Sequence, residues 1–98
     1  MDISFIIPAY NAEAVIERSV SSIVKNKIPA EVEVIVVDDG SKDNTVAVAQ
    51  SIAAGDSRVR VLCNEQNRGV CYTRHRGVSE AKGKWLAFLD SDDLWEPT

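Results

Sequence analysis

The sequence predicts an α/β fold, with a parallel sheet of about four strands flanked by helices. Short β-rich runs alternate with segments whose apolar residues recur every three to four positions, the spacing of one helical face. Residues typical of turns and helix caps separate these segments. The 98 residues are enough for one small domain, and we find no repeat and no linker.

The first half of the chain contains two strand–helix units. The run Ile3–Ala9 is β-rich, and Asn11 can cap a helix with apolar positions at Val15, Ile16, Val20, Ile23 and Val24. The run Val32–Asp38 is the second strand. Ser41 is placed to cap a second helix that ends at Gly55, with an apolar stripe at Val46, Ala49, Ile52 and Ala53.

The second half repeats this alternation. Val59–Cys63 is predicted as the third strand, and a third helix runs from about Val70 to Ala81. Trp85–Leu89 is an apolar fourth strand that runs directly into a group of aspartates. Strands that alternate with helices in this way pair in parallel through right-handed crossovers.

The strand sequences also predict the strand order. The third strand interrupts its apolar residues with Arg60, as an edge strand can, whereas the first and second are apolar on both faces. We therefore predict the order 3-2-1-4, a Rossmann-like arrangement. This order exposes the edge of the fourth strand, although its sequence is that of a covered strand. We expect either that the chain is incomplete or that it associates through this edge.

Composition and charge exclude several functions. A net charge of −4 argues against general nucleic-acid binding, which needs a basic surface. No run approaches the roughly 20 apolar residues that span a bilayer, and the N-terminus lacks the features of a signal peptide. We expect a cytoplasmic protein. Peripheral attachment to a membrane through another part of a longer protein stays open.

Polar residues follow every predicted strand. They occupy the segments Pro8–Asn11, Asp38–Ser41, Asn67–Gly69 and Asp90–Asp93. In open α/β sheets ligands bind beyond the carboxyl ends of the strands, where the strand order reverses, which here lies between the first and fourth strands. This edge collects an aromatic ring, five carboxylates and an arginine. The sequence therefore predicts a ligand site there.

Two features of that edge suggest particular ligands. Carboxylate–Ser–carboxylate at Asp90–Asp92 suits Mg²⁺ or Mn²⁺, which take few carboxylates together with phosphate oxygens. Arginines around the third helix, with the amides near Gly69, could bind phosphate. Each feature also has a simpler interpretation, as a solvated loop or as exposed salt bridges. A dinucleotide site would need a glycine-rich turn after the first strand, and a phosphoacceptor domain would need acids there; this chain has Pro8–Tyr10.

The sequence resembles the family 2 glycosyltransferases of the GT-A fold. The segments that carry the resemblance are FIIPAYN, VIVVDDGSKDNT and NRGVCYTRHRGVSEAKGKWLAFLDSDDLWEP, in this order, and they cover essentially the whole chain. The resemblance implies that residues 1–98 form the N-terminal, nucleotide-sugar-binding portion of such a domain, truncated at the C-terminus. His75 departs from the asparagine that family members often have there.

The resemblance also implies roles for single residues. It assigns nucleotide contacts to Pro8, Ala9, Tyr10, Asp39, Arg74 and Asp90. Asp39 would read the base or ribose, whereas Asp38 would hold the loop. Asp90-Ser91-Asp92 matches the D-x-D motif, with Asp92 as the direct ligand of Mn²⁺ or Mg²⁺ and Asp90 at the ribose or a bridging water. The role of Asp93 is less defined.

The implied reaction is the inverting transfer of a sugar from a nucleotide diphosphate, with a UDP-sugar as the expected donor. The acceptor would be a hydroxyl of a saccharide or a lipid-linked molecule. The family's general base follows the D-x-D motif, so we assign no catalytic base and expect the chain alone to be inactive. The alternative is a small non-catalytic α/β module that forms a dimer through its open fourth strand.

Overall fold

The fold is a four-stranded parallel sheet with helices on both faces. The computed structural model describes residues 2–26 and 28–91. In chain order the described elements are β1 (Ile3–Ala9), α1 (Ile16–Val24), β2 (Val32–Asp38), α2 (Thr45–Gly55), β3 (Val59–Cys63), α3 (Val70–Glu80) and β4 (Trp85–Phe88). The strands pair in the order β3-β2-β1-β4, which confirms the predicted fold class and order. Within the described ranges, no helix has the length and apolar character needed to cross a membrane.

The two predicted helix caps are wrong. α1 begins at Ile16 and not directly after Asn11, whose backbone is left-handed with φ 48°. Ser41 precedes α2 without capping it, because its hydroxyl donates to the Asp38 carboxylate. The Asn11 amide in turn donates to the Ser41 hydroxyl oxygen at 2.8 Å. Both side chains therefore connect the loops after β1 and β2 instead of starting helices.

One face of the sheet carries most of the apolar core. Its strand residues Phe5, Ile7, Val34 and Val36 are almost completely buried against Ile16, Val20 and Ile23 of α1. The predicted apolar face of α1 is confirmed. α2 adds Ala49, Ile52 and Ala53, as predicted, but Val48 packs against this core where Val46 was expected.

The other face of the sheet is covered by α3, which approaches very closely at Gly77. A Cβ atom at this position would lie 2.5 Å from Ile6 Cγ2 and 3.3 Å from Val37 Cγ2. Only glycine therefore lets the helix backbone rest on these two side chains without displacement. The contact fixes the distance between α3 and the two central strands.

A buried carboxylate anchors the connection between α3 and β4. Glu33 is 3% exposed, and its Oε2 accepts hydrogen bonds from Ser4 Oγ (2.6 Å) and the Lys82 amide (2.7 Å). Burial by itself raises the pKa of Glu33, but these hydrogen bonds and the charge of Arg60 outweigh burial and hold the pKa below its usual value. This network lies where the strands begin, so it positions β4 beside β1. It does not contribute to the edge where the strands end.

β4 forms an open edge among the described residues. Trp85, Leu86 and Phe88 are 73%, 43% and 50% exposed. The apolar sequence of β4 was expected to be covered, and the described residues leave these side chains uncovered. Association through this edge stays a prediction.

Replacing Gly77 with alanine is expected to lower the free energy of unfolding by about 1–3 kcal/mol, because the new methyl group overlaps Ile6. Urea denaturation measures the change. Gly55→Ala is the matched control, since a Cβ atom there meets nothing within 4 Å and alanine favours a helix. Equal stability of Gly77→Ala and the wild-type protein would contradict the close packing of α3.

Candidate functional site

β1 and β4 separate at Pro8. The Ile6 carbonyl accepts the Leu89 amide at 3.1 Å, so the polar groups of Ile6 face β4. Residues two apart in a strand face the same neighbour, and position 8 would therefore supply the next hydrogen bond to β4. Proline has no amide hydrogen to give. Pairing between the strands ends at Ile6 and Phe88, and a cleft opens beyond them.

This cleft lies at the carboxyl ends of the strands, where the sequence predicted a ligand site. Its volume is about 530 Å³, within the range of roughly 300–1,000 Å³ usual for small-molecule sites. The described residues that line it are Pro8, Ala9, Tyr10, Asn11, Ala12, Val15, Asp39, Asn67, Gly69, Val70, Thr73, Asp90 and Ser91. The structure thus brings together five of the predicted residues, namely Pro8, Ala9, Tyr10, Asp39 and Asp90.

The loops after β1 and β2 are bonded to each other beside the cleft. Asn11 Oδ1 accepts the Lys42 amide at 2.9 Å, and the Ala12 amide donates to Thr45 Oγ1 at 2.8 Å. These bonds fix the backbone that carries Tyr10. Tyr10 remains 45% exposed, so it is an accessible aromatic residue in the lining of the cleft and not part of the core.

Asp39 anchors the loop that precedes α3. Its Oδ1 accepts the Arg68 amide at 2.7 Å, and its Oδ2 accepts the Gly69 amide at 3.0 Å. Asn64 Nδ2 donates to the same carboxylate at 2.9 Å. The sequence had suggested that amides near Gly69 bind phosphate. For the Arg68 and Gly69 amides this expectation is wrong, because both donate to the Asp39 carboxylate instead.

The Asp39 carboxylate is charged although it is only 6% exposed. Burial by itself raises its pKa, but the hydrogen bonds from the Arg68 amide, the Asn64 side chain, the Gly69 amide and Thr73 lower the pKa below its usual value. The ionised form is thus held by the hydrogen bonds that it organises.

Gly40 allows the same loop to approach the end of β2. Its φ is 74°, and a Cβ atom would lie 2.7 Å from the Asn67 backbone nitrogen. Both the left-handed backbone and the close approach require glycine. Asn67 also donates through its side chain to the Asp39 carbonyl at 3.4 Å, which brings it to the wall of the cleft.

Asn64 is a structural residue of the site that the sequence reasoning missed. It is 7% exposed and directly follows β3, whereas the predicted polar segment began only at Asn67. Its side-chain nitrogen donates to Asp39 and Thr73, and its oxygen accepts from Arg76. Its position right after a strand was the available signal. Val70 and Thr73 were missed because helical residues of these types usually indicate a core face.

Arg74 lies beside the cleft rather than in its described lining. Its Nη2 is 3.2 Å from Asp90 Oδ1, and its guanidinium carbon is 5.9 Å from the centre of the Phe88 ring. Both partners of the ion pair are substantially exposed, so the pair adds little to stability. It does place a positive charge next to one of the predicted metal ligands.

The described residues fit a cation site that uses few protein ligands. Asp90 offers carboxylate oxygens, the donors that Mg²⁺ and Mn²⁺ prefer, and it lines the cleft together with Ser91. The other predicted ligand, Asp92, and the adjacent Asp93 lie outside the described residues. Within residues 2–26 and 28–91 no group of three or more His, Cys, Asp or Glu could hold a metal ion.

Comparison with known proteins identifies the class to which this fold and cleft belong. The sequence model of glycosyl transferase family 2 matches residues 4–98. The chain therefore belongs to glycosyl transferase family 2, which confirms the predicted family.

The chain is similar to curated bacterial proteins of this family. It is 42% identical over 93 residues to the UDP-Glc:alpha-D-GlcNAc-diphosphoundecaprenol beta-1,3-glucosyltransferase WfgD of Escherichia coli, covering 95% of this chain and 36% of that protein. It is 41% identical over 96 residues to the succinoglycan biosynthesis protein ExoO of Rhizobium meliloti, covering 98% of this chain and 27% of that protein. The chain thus spans about a third or less of the length of these relatives.

Solved structures confirm the GT-A fold. Staphylococcus aureus TarS 1–349 in complex with UDP-GlcNAc superposes with a TM-score of 0.88 at 34% identity, covering 96% of this chain and 27% of that one. The mannosyltransferase PcManGT of Pyrobaculum calidifontis, in complex with GDP-Man and Mn²⁺, gives a TM-score of 0.89 at 26% identity, covering 97% and 28%. The described sheet is accordingly the N-terminal portion of a GT-A domain.

Asp39→Asn is expected to release the loop before α3, because the amide that replaces one oxygen cannot accept hydrogen bonds. The free energy of unfolding should fall by about 1–3 kcal/mol at neutral pH. Hydrogen exchange at the Arg68 and Gly69 amides should become faster. Since the pKa of Asp39 is lowered in the folded protein, its contribution is complete above about pH 4 and disappears as the pH falls through that lowered pKa.

The stability difference between wild type and Asp39→Asn should therefore narrow in acid. Asp38→Asn is the control, because the Asp38 side chain bonds to Ser41 and not to the Arg68 and Gly69 amides. Unchanged exchange at Arg68 and Gly69 in Asp39→Asn would show that this carboxylate does not anchor the loop.

Proposed function

We propose that this chain binds a nucleotide-diphosphate sugar, together with a divalent cation, as the donor-binding part of an inverting glycosyltransferase. The observation that carries the proposal is the convergence of Tyr10, Asp39 and Asp90 from three separate strand ends on one cleft of about 530 Å³. Membership of the family supports the reaction class. Two structural neighbours, TarS with UDP-GlcNAc and PcManGT with GDP-Man, support a nucleotide sugar as the ligand.

The nucleoside is proposed to lie on the wall made by Pro8, Ala9 and Tyr10. A partly exposed aromatic ring beside a proline is suited to stacking against a base. Asp39 borders this wall, but its described hydrogen bonds go to the protein itself. Contact of Asp39 with the base or ribose stays a prediction, to which the structure adds an anchoring role. Uridine is the base that we propose, and GDP is the comparison to test.

The diphosphate is proposed to lie near Asp90, which follows β4 and lines the cleft. Two phosphate groups beside a carboxylate would repel one another, so a cation is needed between them. Asp90 and Asp92 would hold Mn²⁺ or Mg²⁺, and the cation would stabilise the negative charge that develops on the leaving diphosphate. The neighbour PcManGT was solved with Mn²⁺, which supports a divalent cation. Arg74 would add a further positive charge through its position next to Asp90.

The complete reaction is proposed to be a single displacement at the sugar carbon, with a hydroxyl of a saccharide or lipid-linked molecule as acceptor. A general base must take the hydroxyl proton, and we nominate none of the described residues for that role. We therefore expect the chain alone to bind donor without transferring sugar.

Tyr10→Ala is expected to weaken UDP binding roughly tenfold to a hundredfold, because stacking of a base on an aromatic ring contributes about 1–3 kcal/mol. Tyr10→Phe should keep nearly all of the affinity. Tyr72→Ala is the matched control: Tyr72 is 49% exposed, close to the 45% of Tyr10, and it lies outside the described lining. Isothermal titration calorimetry gives the affinities. Equal losses in Tyr10→Ala and Tyr72→Ala would contradict the proposed position of the base.

Removing the cation with EDTA is expected to weaken UDP binding at least tenfold, and Asp92→Asn should reproduce this loss in the presence of Mn²⁺, because the diphosphate charge is then left uncompensated. Glu17→Ala, which removes an exposed carboxylate on α1, should bind like the wild-type protein. Calorimetry with and without Mn²⁺ provides the test. Metal-independent affinity in the wild-type protein would exclude the cation from the donor site.

A further inference from the structure

A long-range hydrogen bond connects α1 to the segment that follows β4. The hydroxyl of Ser19, in the middle of α1, donates to the backbone carbonyl of Ser91 at 2.5 Å. The two residues are 72 positions apart in the chain. Ser91 lines the cleft beside Asp90, so this bond reaches the predicted cation site from a helix that contains none of its predicted ligands.

The helix itself does not require a serine at this position. Ser19 is 1% exposed and shares the buried face of α1 with Ile16, Val20 and Ile23, which are completely buried. Alanine has the higher helix propensity and would bury no polar group. A buried hydroxyl is costly unless it is hydrogen-bonded. The contact with the Ser91 carbonyl therefore explains the serine better than helix formation does.

The bond acts on the backbone directly beside Asp90, one of the predicted metal ligands. It holds the backbone of Ser91 at its carbonyl group. On the other side of Ser91, Asp90 is largely exposed, and its described side-chain partner is the exposed guanidinium of Arg74. Among the described residues, the Ser19 hydroxyl is thus a buried and rigid support for this segment, whereas the Arg74 pair is exposed to solvent.

We propose that Ser19 is a positioning residue for the cation and diphosphate end of the cleft. By holding the Ser91 carbonyl, it fixes the backbone of Ser91, the residue next to Asp90, before the ligand arrives, so that cation binding requires less reordering at this position. Pre-organisation of this kind increases affinity by reducing the ordering that binding demands. The inference rests on the proposed function, and it concerns a residue that does not itself touch the ligand.

The test compares UDP affinity with and without Mn²⁺ in purified wild-type, Ser19→Ala and Ser19→Cys proteins. Cysteine keeps nearly the size of serine but is only a weak donor, so it preserves the packing while weakening the bond. In both variants, the factor by which Mn²⁺ increases UDP affinity should be roughly tenfold smaller than in wild type, which is the effect of one hydrogen bond. The affinity for UDP without metal should stay within about twofold of wild type. Ser21→Ala, on the same helix and without a described side-chain hydrogen bond, should retain the full Mn²⁺ effect.

A second readout is the electron paramagnetic resonance spectrum of Mn²⁺ in the presence of UDP. We expect a broader distribution of Mn²⁺ environments in Ser19→Cys than in wild type, because the supporting backbone is less ordered. Three outcomes would overturn the proposal. The first is a Mn²⁺ effect in both variants equal to that of wild type, with UDP binding intact, which leaves the proposed function standing. The second is an equal loss with and without Mn²⁺, which indicates a merely structural serine. The third is absence of UDP binding or of any Mn²⁺ effect in the wild-type protein, which also overturns the proposed function.

Discussion

The cleft depends above all on the carboxylate of Asp39, at the end of β2. The Arg68 and Gly69 amides, 29 and 30 positions further along the chain, both donate to it. Without this negative charge the Arg68 and Gly69 amides at the start of α3 would be unpaired, and the loop that carries Asn67 would lose its bonds to the Asp39 side chain. Burial opposes the charge and the hydrogen bonds sustain it, so the ionised carboxylate and the loop stabilise each other.

Two further constraints shape the cleft. Pro8 cannot donate a hydrogen bond towards β4, so the pairing of the two strands ends there and the cleft begins. Ser19 then holds the segment that leaves β4. The first constraint follows from the covalent structure of proline, which has no amide hydrogen. The second is a hydrogen bond from the buried hydroxyl of Ser19 to the Ser91 carbonyl. Together with Asp39 they build a site on rigid strand ends, while α3 is kept close to the sheet by the absence of a side chain at Gly77.

The sequence predicted the strand order because apolar residues on both faces of β1 and β2 leave few other arrangements. It predicted most of the cleft for a related reason, since the carboxyl ends of parallel strands meet at one edge. It was wrong about Asn11 and Ser41, which have the chemistry of helix caps but bond to each other's loop. Local patterns cannot show such long-range partners. Ser19 was overlooked for the same reason, because its role exists only through a residue distant in the chain. Asn64 was overlooked although its position directly after β3 was a local signal.

Whether the nucleotide occupies the cleft between β1 and β4 can be tested by titrating ¹⁵N-labelled protein with UDP and Mg²⁺ and following the titration by nuclear magnetic resonance. We expect chemical-shift changes concentrated at Tyr10, Asp39 and Ser91, with little change around Glu33 at the opposite edge of the sheet. Changes centred on Glu33, or on the exposed face of β4, would contradict this expectation.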